Sequence, residues 1–277
     1  MTKRHKSSGG LVKFIKVMFF LTLMTIIGFV AFFFVYPDVS KLKKENPKKT
    51  SFMKYRENQW QAKGKKVNIQ KRWVPLPNVS PYLVKAILIA EDDKFWSHHG
   101  FDMDAIQKAL EKNIEKGKFK FGGSTISQQL VKNLYLTPAK NPVRKLKEAI
   151  ITWRVERTLS KRRILELYIN VVEWGEGVFG AEMASRHYFG KPATLLTAEE
   201  AAKLAAILPN PIRFKVDGTS KYTERRAKII YDIMVKRGIV IPDYEEVIKT
   251  PQIEINEEQD TQTDASGQGA AQIPGYH

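Results

Sequence analysis

The sequence has 277 residues, a length that fits one sizeable catalytic domain with appendages. It contains no cysteine, which excludes a disulfide framework and a thiolate metal site. The formal net charge of +17 predicts a polyanionic partner, such as nucleic acid, an anionic lipid surface or a pyrophosphate group.

The first predicted element is a membrane-spanning helix over residues 17–36, after a basic tail over residues 1–16. The helix carries no charged residue, and at about 1.5 Å per residue it spans about 30 Å, the hydrocarbon thickness of a bilayer. A cleaved signal peptide has a shorter apolar core and a small-residue cleavage site, whereas this run ends in Phe-Phe-Phe-Val-Tyr-Pro. The tail, with five Lys or Arg residues, is predicted to be cytoplasmic and the domain extracytoplasmic, which argues against a nucleic-acid partner.

Two segments flank a predicted catalytic domain at residues 72–249. Residues 37–71 form a lysine-rich connector without clear periodicity, which is predicted to lie near the membrane surface. Residues 250–277 are rich in Glu, Gln, Asp, Thr, Ser and Gly, and this composition predicts disorder.

The domain itself is predicted to be mainly α-helical. Ser80 followed by Pro81 is typical of the start of a helix, which continues as an apolar run over residues 82–90. Polar capping residues predict three later helices. The capping residues are Asp102, Asn141 and Thr197. Strand patterns are sparse, with residues 73–76 as a short extended piece.

Three consecutive acids follow the apolar run: Glu91, Asp92 and Asp93. A buried carboxylate is costly unless it is paired or neutralised. Apolar surroundings raise a carboxyl pKa and nearby cations lower it, so a group at this place can be tuned for proton transfer. Glu91 is the candidate because it is the acid nearest the apolar run. The alternative interpretation is an acidic patch in solvent at a helix end.

A second polar cluster, Gly122-Gly123-Ser124-Thr125, precedes another predicted helix. Glycine allows close backbone approach, and the free N–H groups of a helix N-terminus bind anions. The same pattern is also typical of an ordinary helix cap. Gln129 and Lys132 are three residues apart and therefore share one face of this helix.

Several motifs in order resemble the peptidoglycan glycosyltransferase family, the membrane-bound enzymes that polymerise lipid II into glycan strands. The motifs are Glu91-Asp92-x-x-Phe95-x-x-His98, Gly122 to Asn133, Arg144-Lys145-x-x-Glu148, Lys161 to Asn170, and Gly177 to Lys191. The resemblance covers residues 70–215. It implies a lysozyme-like glycosyltransferase domain with a small membrane-associated jaw over residues 103–121. Amphipathic packing on the core is the alternative for that segment.

The resemblance implies roles for individual residues. Glu91 matches the general base toward the 4-hydroxyl of the acceptor sugar, and Glu148 matches a second glutamate near the pyrophosphate. Without the family match, Glu148 fits an ordinary ion pair along a basic helix. The implied substrate-binding residues are Asp92, Ser124, Gln129, Lys132, Lys140 and Lys147. Lys140 occurs where many relatives have arginine, so it keeps the charge but loses the bidentate fork.

A divalent cation, Mg²⁺ or Mn²⁺, is a further expectation, and no metal ligands are assigned to it. His98 and His99 are adjacent and cannot share a helix face, which favours hydrogen bonding to the acids over metal ligation. The expected partners are lipid II, the nascent glycan strand, the membrane, and proteins of the cell-division or elongation machinery. The expected location is the inner membrane, with a single pass.

The implied reaction transfers a lipid-pyrophosphoryl glycan onto lipid II with inversion at the anomeric carbon, and it releases undecaprenyl pyrophosphate. No transpeptidase domain is expected. A membrane-anchored lytic glycosidase also needs a glutamate in a lysozyme-like groove, but an uncharged glycan does not need the lysines around Glu148. A non-catalytic cell-wall scaffold is the other alternative.

Overall fold

The computed structural model describes residues 9–117, 122–138 and 141–241, which are mainly α-helical, as the sequence predicts. The helices in chain order are α1 (Gly9–Phe32), α2 (Ser51–Ala62), α3 (Pro81–Glu91), α4 (Met103–Glu115), α5 (Ile126–Tyr135), α6 (Pro142–Thr158), α7 (Lys161–Val171), α8 (Ala181–Phe189), α9 (Ala198–Ile207) and α10 (Lys221–Lys236). The strands are β1 (Gln70–Lys71), β2 (Glu173–Gly175) and β3 (Val178–Phe179). The chain divides into two units, residues 1–239 and 240–277; only Val240 and Ile241 of the second are described.

Helix α1 is long and apolar enough to cross a membrane. Its span Gly10–Phe32 has a mean hydropathy of 2.3, and the most apolar stretch is not buried inside the protein. The helix begins before the predicted residues 17–36 and carries Lys13 and Lys16 in its first half. Long lysine side chains at a helix end extend their charged heads toward the headgroup region, so these two are compatible with a membrane span.

Helices α3, α9 and α10 pack together and form one part of the core. Leu83, Ala86 and Ile87 of α3 are fully buried. Helix α9 contributes a face rich in alanine, and small side chains let two helices approach closely. Each fully buried leucine or isoleucine contributes about 1.5–3 kcal/mol. This packing fixes α3 and therefore the position of Glu91 at its C-terminal end.

Helix α5 lies between α6 and α7 in a second part of the core. Its buried side chains include Ile126, Leu130 and Val131. Helix α7 buries Ile164 and Leu165. Since α5 carries Gln129 and Lys132 while α6 carries Glu148, the contact between these helices brings the predicted polar residues into one region.

Most of the predicted helix caps are confirmed. The side chain of Asp102 accepts a hydrogen bond from the Ala105 N–H at 2.9 Å, and Thr197 forms a capping box with Glu200. Asn141 caps α6 in the same way. Helix α3 begins at Pro81 with Ser80 at the N-cap position, as predicted, but the Ser80 hydroxyl donates to the Leu196 carbonyl at 2.8 Å and makes no cap bond.

The connector over residues 37–71 contains helix α2, which the sequence did not predict. Met53 and Trp60 of this helix are buried against Phe179, and α2 packs on α5. Strand β1 then pairs in parallel with β3, while β2 pairs with β3 antiparallel. The predicted extended piece at residues 73–76 is not a strand, since the strand precedes it at residues 70–71. The connector is therefore packed against the domain.

Helix α4 exposes its apolar side chains and buries none of its residues. Met103, Leu110 and Ile114 are 69%, 52% and 72% exposed and recur at helical spacing. The alternative of an amphipathic helix packed on the core is therefore wrong. The rest of the predicted jaw, with Phe119 and Phe121, lies outside the described residues, as does the predicted disordered segment at residues 250–277.

Candidate active site

Glu91 is a buried carboxylate at the C-terminal end of α3, with its side chain 11% exposed. The Gln129 Nε2 group donates to its Oε2 at 2.9 Å. The guanidinium of Arg226 donates to the Ala90 carbonyl at 3.0 Å and lies 3.4 Å from Glu91 Oε1. Burial raises the pKa of Glu91, and the bonds from Gln129 and Arg226 only oppose that rise. Glu91 is therefore a better proton acceptor than an exposed glutamate.

The orientation of the Gln129 amide is fixed by Tyr168. The Tyr168 hydroxyl donates to Gln129 Oε1 at 3.1 Å, which leaves the Nε2 group to face Glu91. Tyr168 is fully buried in α7, so this hydroxyl has little freedom to move. A chain of two hydrogen bonds thus positions the carboxylate from the side of α5 and α7.

Asp92 connects the end of α3 to the start of α5. Its Oδ2 accepts from the Ile126 N–H at 2.9 Å, and its Oδ1 is 2.8 Å from His98 Nε2. Because the Gly100 N–H donates to His98 Nδ1 at 3.1 Å, the ring proton is on Nε2 and is donated to Asp92. The predicted hydrogen bond between a histidine and these acids is confirmed. Both Asp92 oxygens bond within the protein, which makes Asp92 a positioning residue for its neighbour Glu91.

Glu148 lies on α6 and is held by two cations. It is 3% exposed, accepts from Arg144 Nη1 at 2.7 Å, and also bonds to Lys145 Nζ. The ordinary ion pair considered for this residue is therefore present. Arg144 uses one N–H group for this bond, and its buried Nε has no partner among the described residues.

Lys132 is the cation between the two glutamates. Burial lowers the pKa of its ammonium group, and the charges of Glu148 and Glu91 oppose that shift. No hydrogen bond from Lys132 to another described residue is present. The ammonium group is partly withdrawn from water and has no hydrogen-bond acceptor among the described residues, and an anionic ligand would supply one.

Lys132 and Arg144 line a cleft of about 610 Å³. Gln129 and Asn133 lie on the same wall, while Arg56 and Glu173 line it from α2 and β2. Glu91 is not among the lining residues, and its bond to Gln129 joins it to the cleft wall. The arrangement therefore combines a buried proton acceptor with a concave cationic surface.

Comparison with known proteins supports this interpretation. The sequence profile of the family described as Transglycosylase matches residues 58–235. A biosynthetic peptidoglycan transglycosylase of Nitrosospira multiformis is 45% identical over 220 residues, which are 79% of this chain and 95% of the relative. Proteins of the same name from Azoarcus sp. and Aromatoleum aromaticum are 50% and 53% identical, over 65% and 61% of this chain and 78% and 74% of the relatives.

The chain belongs to the transglycosylase family. The family match includes the motifs that carry Glu91, Gln129, Lys132 and Glu148, and the fold brings these four residues into one region. Glu156, another glutamate in the match, bonds to Lys161 at 2.9 Å and to the Ser127 hydroxyl. It therefore has a structural ion pair.

Ser124, another predicted residue of this transglycosylase, is not among the residues that line the cleft. Ser124 is exposed in the loop before α5. Gly123 beside it is required there, because a Cβ atom would lie 2.8 Å from the backbone of Ala105 and Ile106 in α4. Lys140 lies outside the described residues.

Lys147 contacts the apolar helix α1. Its Nζ lies 4.9 Å and 4.6 Å from the ring centroids of Phe29 and Phe33. Arg154, two turns further along α6, donates to the carbonyls of Phe33 and Val35 at 3.2 Å and 2.7 Å. One face of α6 therefore carries Glu148 and the adjacent face holds the end of α1.

The predicted divalent cation finds no ready set of protein ligands. In the described ranges, no group of three His, Cys, Asp or Glu side chains could hold a metal ion. Glu148, the nearest carboxylate to the cationic wall, already has a cation on each oxygen. The described residues therefore do not fit a metal site built by the protein alone.

Sequence reasoning missed several residues of this site. Arg226, on α10, is 135 positions from Glu91 in the sequence. It belongs to none of the motifs used in the sequence analysis, so nothing there indicated its contact with Glu91. Arg56 and Glu173 were missed for the same reason, since they are 117 positions apart. Arg144 was visible in the motif that contains Glu148, and its spacing of four residues indicates a shared helix face.

Proposed function

We propose that this transglycosylase polymerises lipid II into glycan strands. The observation that carries the proposal is a largely buried glutamate, Glu91, joined by Gln129 to a cleft whose wall holds Lys132, a cation without a hydrogen bond to any described residue. Polymerisation requires a base for the acceptor hydroxyl and cations for a pyrophosphate leaving group. A lytic enzyme acting on uncharged glycan also requires a catalytic carboxyl group, but it does not require cations for a pyrophosphate.

In the proposed reaction, Glu91 removes the proton from the acceptor 4-hydroxyl. The oxygen forms a bond to the anomeric carbon of the donor as the bond from that carbon to the pyrophosphate breaks. Attack from the face opposite the leaving group inverts the configuration. The raised pKa of Glu91 suits this step, because a base whose pKa approaches the ambient pH binds the transferred proton more strongly.

Lys132 and Arg144 receive the pyrophosphate. The buried Nε–H group of Arg144 has no partner among the described residues, and no hydrogen bond joins the Lys132 ammonium to a described residue. Both therefore offer donors to phosphate oxygens without giving up an internal bond. Glu148 holds Arg144 and Lys145 in place, which makes it a positioning residue for the cationic wall. The divalent cation remains a prediction, and no step is assigned to it.

The proposed topology has the N-terminus in the cytoplasm, one pass through the inner membrane, and the domain outside the cytoplasm. Support comes from the basic residues that precede α1 and from the contact of its distal end with Arg154. This contact supports a position of the domain close to the membrane, where a lipid-linked donor and acceptor are located. Proteins of the division or elongation machinery remain predicted partners.

The test is incubation of the detergent-purified full-length protein with labelled lipid II and Mg²⁺, followed by gel separation. A ladder of long glycan that muramidase digests, and that is absent with Glu91→Gln, is the expected result. Shortening of preformed glycan without a ladder would contradict the proposal in favour of a lytic enzyme. If neither lipid II nor preformed glycan changes, a non-catalytic scaffold function replaces the proposed polymerase function.

A further inference from the structure

One ion pair in the cleft has no part in the reaction described above. Glu173, on β2, is 3% exposed and lines the same cleft as Lys132 and Arg144. Arg56, on α2, donates to Glu173 Oε2 from Nε at 2.9 Å and from Nη2 at 2.6 Å. Both bonds go to one oxygen. The other, Oε1, is buried and has no hydrogen-bond partner in the part of the chain that the structure describes.

Arg56 is itself firmly held, so the arrangement is rigid. Its Nη1 donates to Gln59 Oε1 at 3.2 Å, and Gln59 donates to the Tyr55 hydroxyl at 2.6 Å. The guanidinium also lies 5.1 Å from the ring centroid of Phe52, another lining residue. A carboxylate fixed in this way keeps the lone pairs of Oε1 in one direction. Leaving them unsatisfied costs free energy, which a ligand that brings a donor recovers.

We propose that Glu173, oriented by Arg56, is a substrate-binding residue that accepts a hydrogen bond from a hydroxyl or amide N–H group in the uncharged sugar part of the substrate. The proposal rests on the proposed polymerase function and adds a second subsite to its cleft. Phosphate is excluded as the group at this subsite, because a carboxylate repels it and offers it no donor. The cleft thus has a cationic wall for the pyrophosphate and an acceptor for the sugar.

Replacement by glutamine tests the acceptor role sharply. Arg56 requires an acceptor at the position of Oε2, so in Glu173→Gln the amide oxygen stays there and the NH₂ group occupies the position of Oε1. The NH₂ group of the variant then faces the hydroxyl or N–H group of the substrate, and two hydrogen-bond donors cannot bond to each other. Removing a hydrogen bond to a charged group costs about tenfold or more in binding.

The experiment measures steady-state polymerisation of lipid II by full-length Glu173→Gln and by the control Glu176→Gln. Glu176 lies three residues away, pairs with Lys65 at 2.9 Å and is exposed. We expect the KM of Glu173→Gln to rise about tenfold with kcat changed less than about threefold. The control should keep the wild-type KM. An unchanged KM in Glu173→Gln, or an equal rise in both variants, would overturn the proposal.

The pH dependence of the wild-type KM tests the same assignment without a substitution. Burial raises the pKa of Glu173 to about 7; Arg56 opposes that rise, and Glu176 adds to it. Lys132 and Arg144 line the same cleft, and the Tyr188 hydroxyl on α8 also lies near Glu173; that hydroxyl is protonated and donates to the Trp174 carbonyl at 2.8 Å. Because Arg56 occupies Oε2, the proton binds at Oε1 and changes the acceptor into a donor.

The expected result is a KM that rises as the pH falls through about 7 in the wild type and is flat in Glu173→Gln. A KM independent of pH between about 6 and 8 in the wild type would contradict the acceptor role. Melting temperatures of all variants separate a folding defect from a binding defect, since a purely structural pair would lower stability and leave KM unchanged. A wild-type protein that makes no glycan would remove the polymerase function itself, and this inference with it.

Discussion

Glu91 and Glu148 are both buried glutamates on helices, and they differ in the charge of their partners. Glu91 accepts from the neutral amide of Gln129 at 2.9 Å, with the Arg226 guanidinium at 3.4 Å. Glu148 bonds directly to two cations, Arg144 and Lys145. Burial raises the pKa of Glu91, so this carboxyl takes up a proton more readily than an exposed glutamate, whereas the carboxylate of Glu148 holds two cations in place. The same type of side chain is therefore suited to the proposed role of a base in one place and to that of a counter-ion in the other.

The largest effect is expected from Glu91→Gln. The substitution removes the proton acceptor and keeps the shape, so kcat should fall about 10²- to 10⁴-fold. Because burial raises the pKa of Glu91, the folded state favours the uncharged form, and stability at neutral pH should not fall. Polymerisation rates and melting temperature check both points. A wild-type kcat in Glu91→Gln would contradict the proposal that Glu91 is the base and differs in role from Glu148.

Lys132→Gln is expected to have the second largest effect. Loss of the ammonium removes a donor to the pyrophosphate, and kcat/KM should fall about ten- to hundredfold. Lys132→Arg should recover part of the activity because it keeps the charge. Lys228→Gln, at an exposed pair with Asp232 on α10, is the control and should behave as wild type. Equal activity in Lys132→Gln and this control would show that the cleft does not need its buried cation.

Glu148→Gln should affect stability more than Glu91→Gln does. It leaves Arg144 and Lys145 without their counter-ion, and unfolding free energy should fall by about 2 kcal/mol, since Lys145 is half exposed and contributes less than a buried partner. Thermal unfolding in detergent measures this loss. Asp232→Asn, at an exposed pair, is the control and should cost less than about 0.5 kcal/mol. Similar losses in the two variants would contradict the counter-ion role.

The smallest effect is expected from Lys147→Met. Its contacts with Phe29 and Phe33 are worth about 0.5–1 kcal/mol, and methionine keeps most of the packing. The KM for lipid II should stay within about twofold of wild type. A tenfold rise would instead assign Lys147 to the substrate, as the family resemblance implies.

Local features of the fold could be predicted from the sequence, since caps such as Asp102 and Thr197 act within four residues. Helix α2 could not, because its buried Met53 and Trp60 are separated by polar residues and lie in a lysine-rich context. These two side chains are buried by Phe179, more than a hundred positions away. Tertiary contacts, not the periodicity of its apolar residues, stabilise such a segment as a helix.

The residues of the candidate site also divide into those that local motifs predicted and those that only long-range contacts reveal. The family motifs identified Glu91, Gln129 and Lys132, which the fold brings together. They did not indicate Arg226 or Glu173, because each reaches the site through a long-range contact. Lys147 illustrates a different limit. It is adjacent to Glu148, yet neighbouring helical residues point about 100° apart, so it faces α1.

The attachment of α6 to the end of α1 has a consequence for how the rate is governed. With α1 as the proposed membrane anchor, an enzyme attached to it in this way would meet a lipid-linked substrate by lateral diffusion within one surface. The relevant quantity is then the number of substrate molecules per unit area, and the concentration in the surrounding water has little influence. Diluting lipid II with inert lipid at constant total amount should slow the enzyme, while diluting the whole suspension of vesicles that contain both should not.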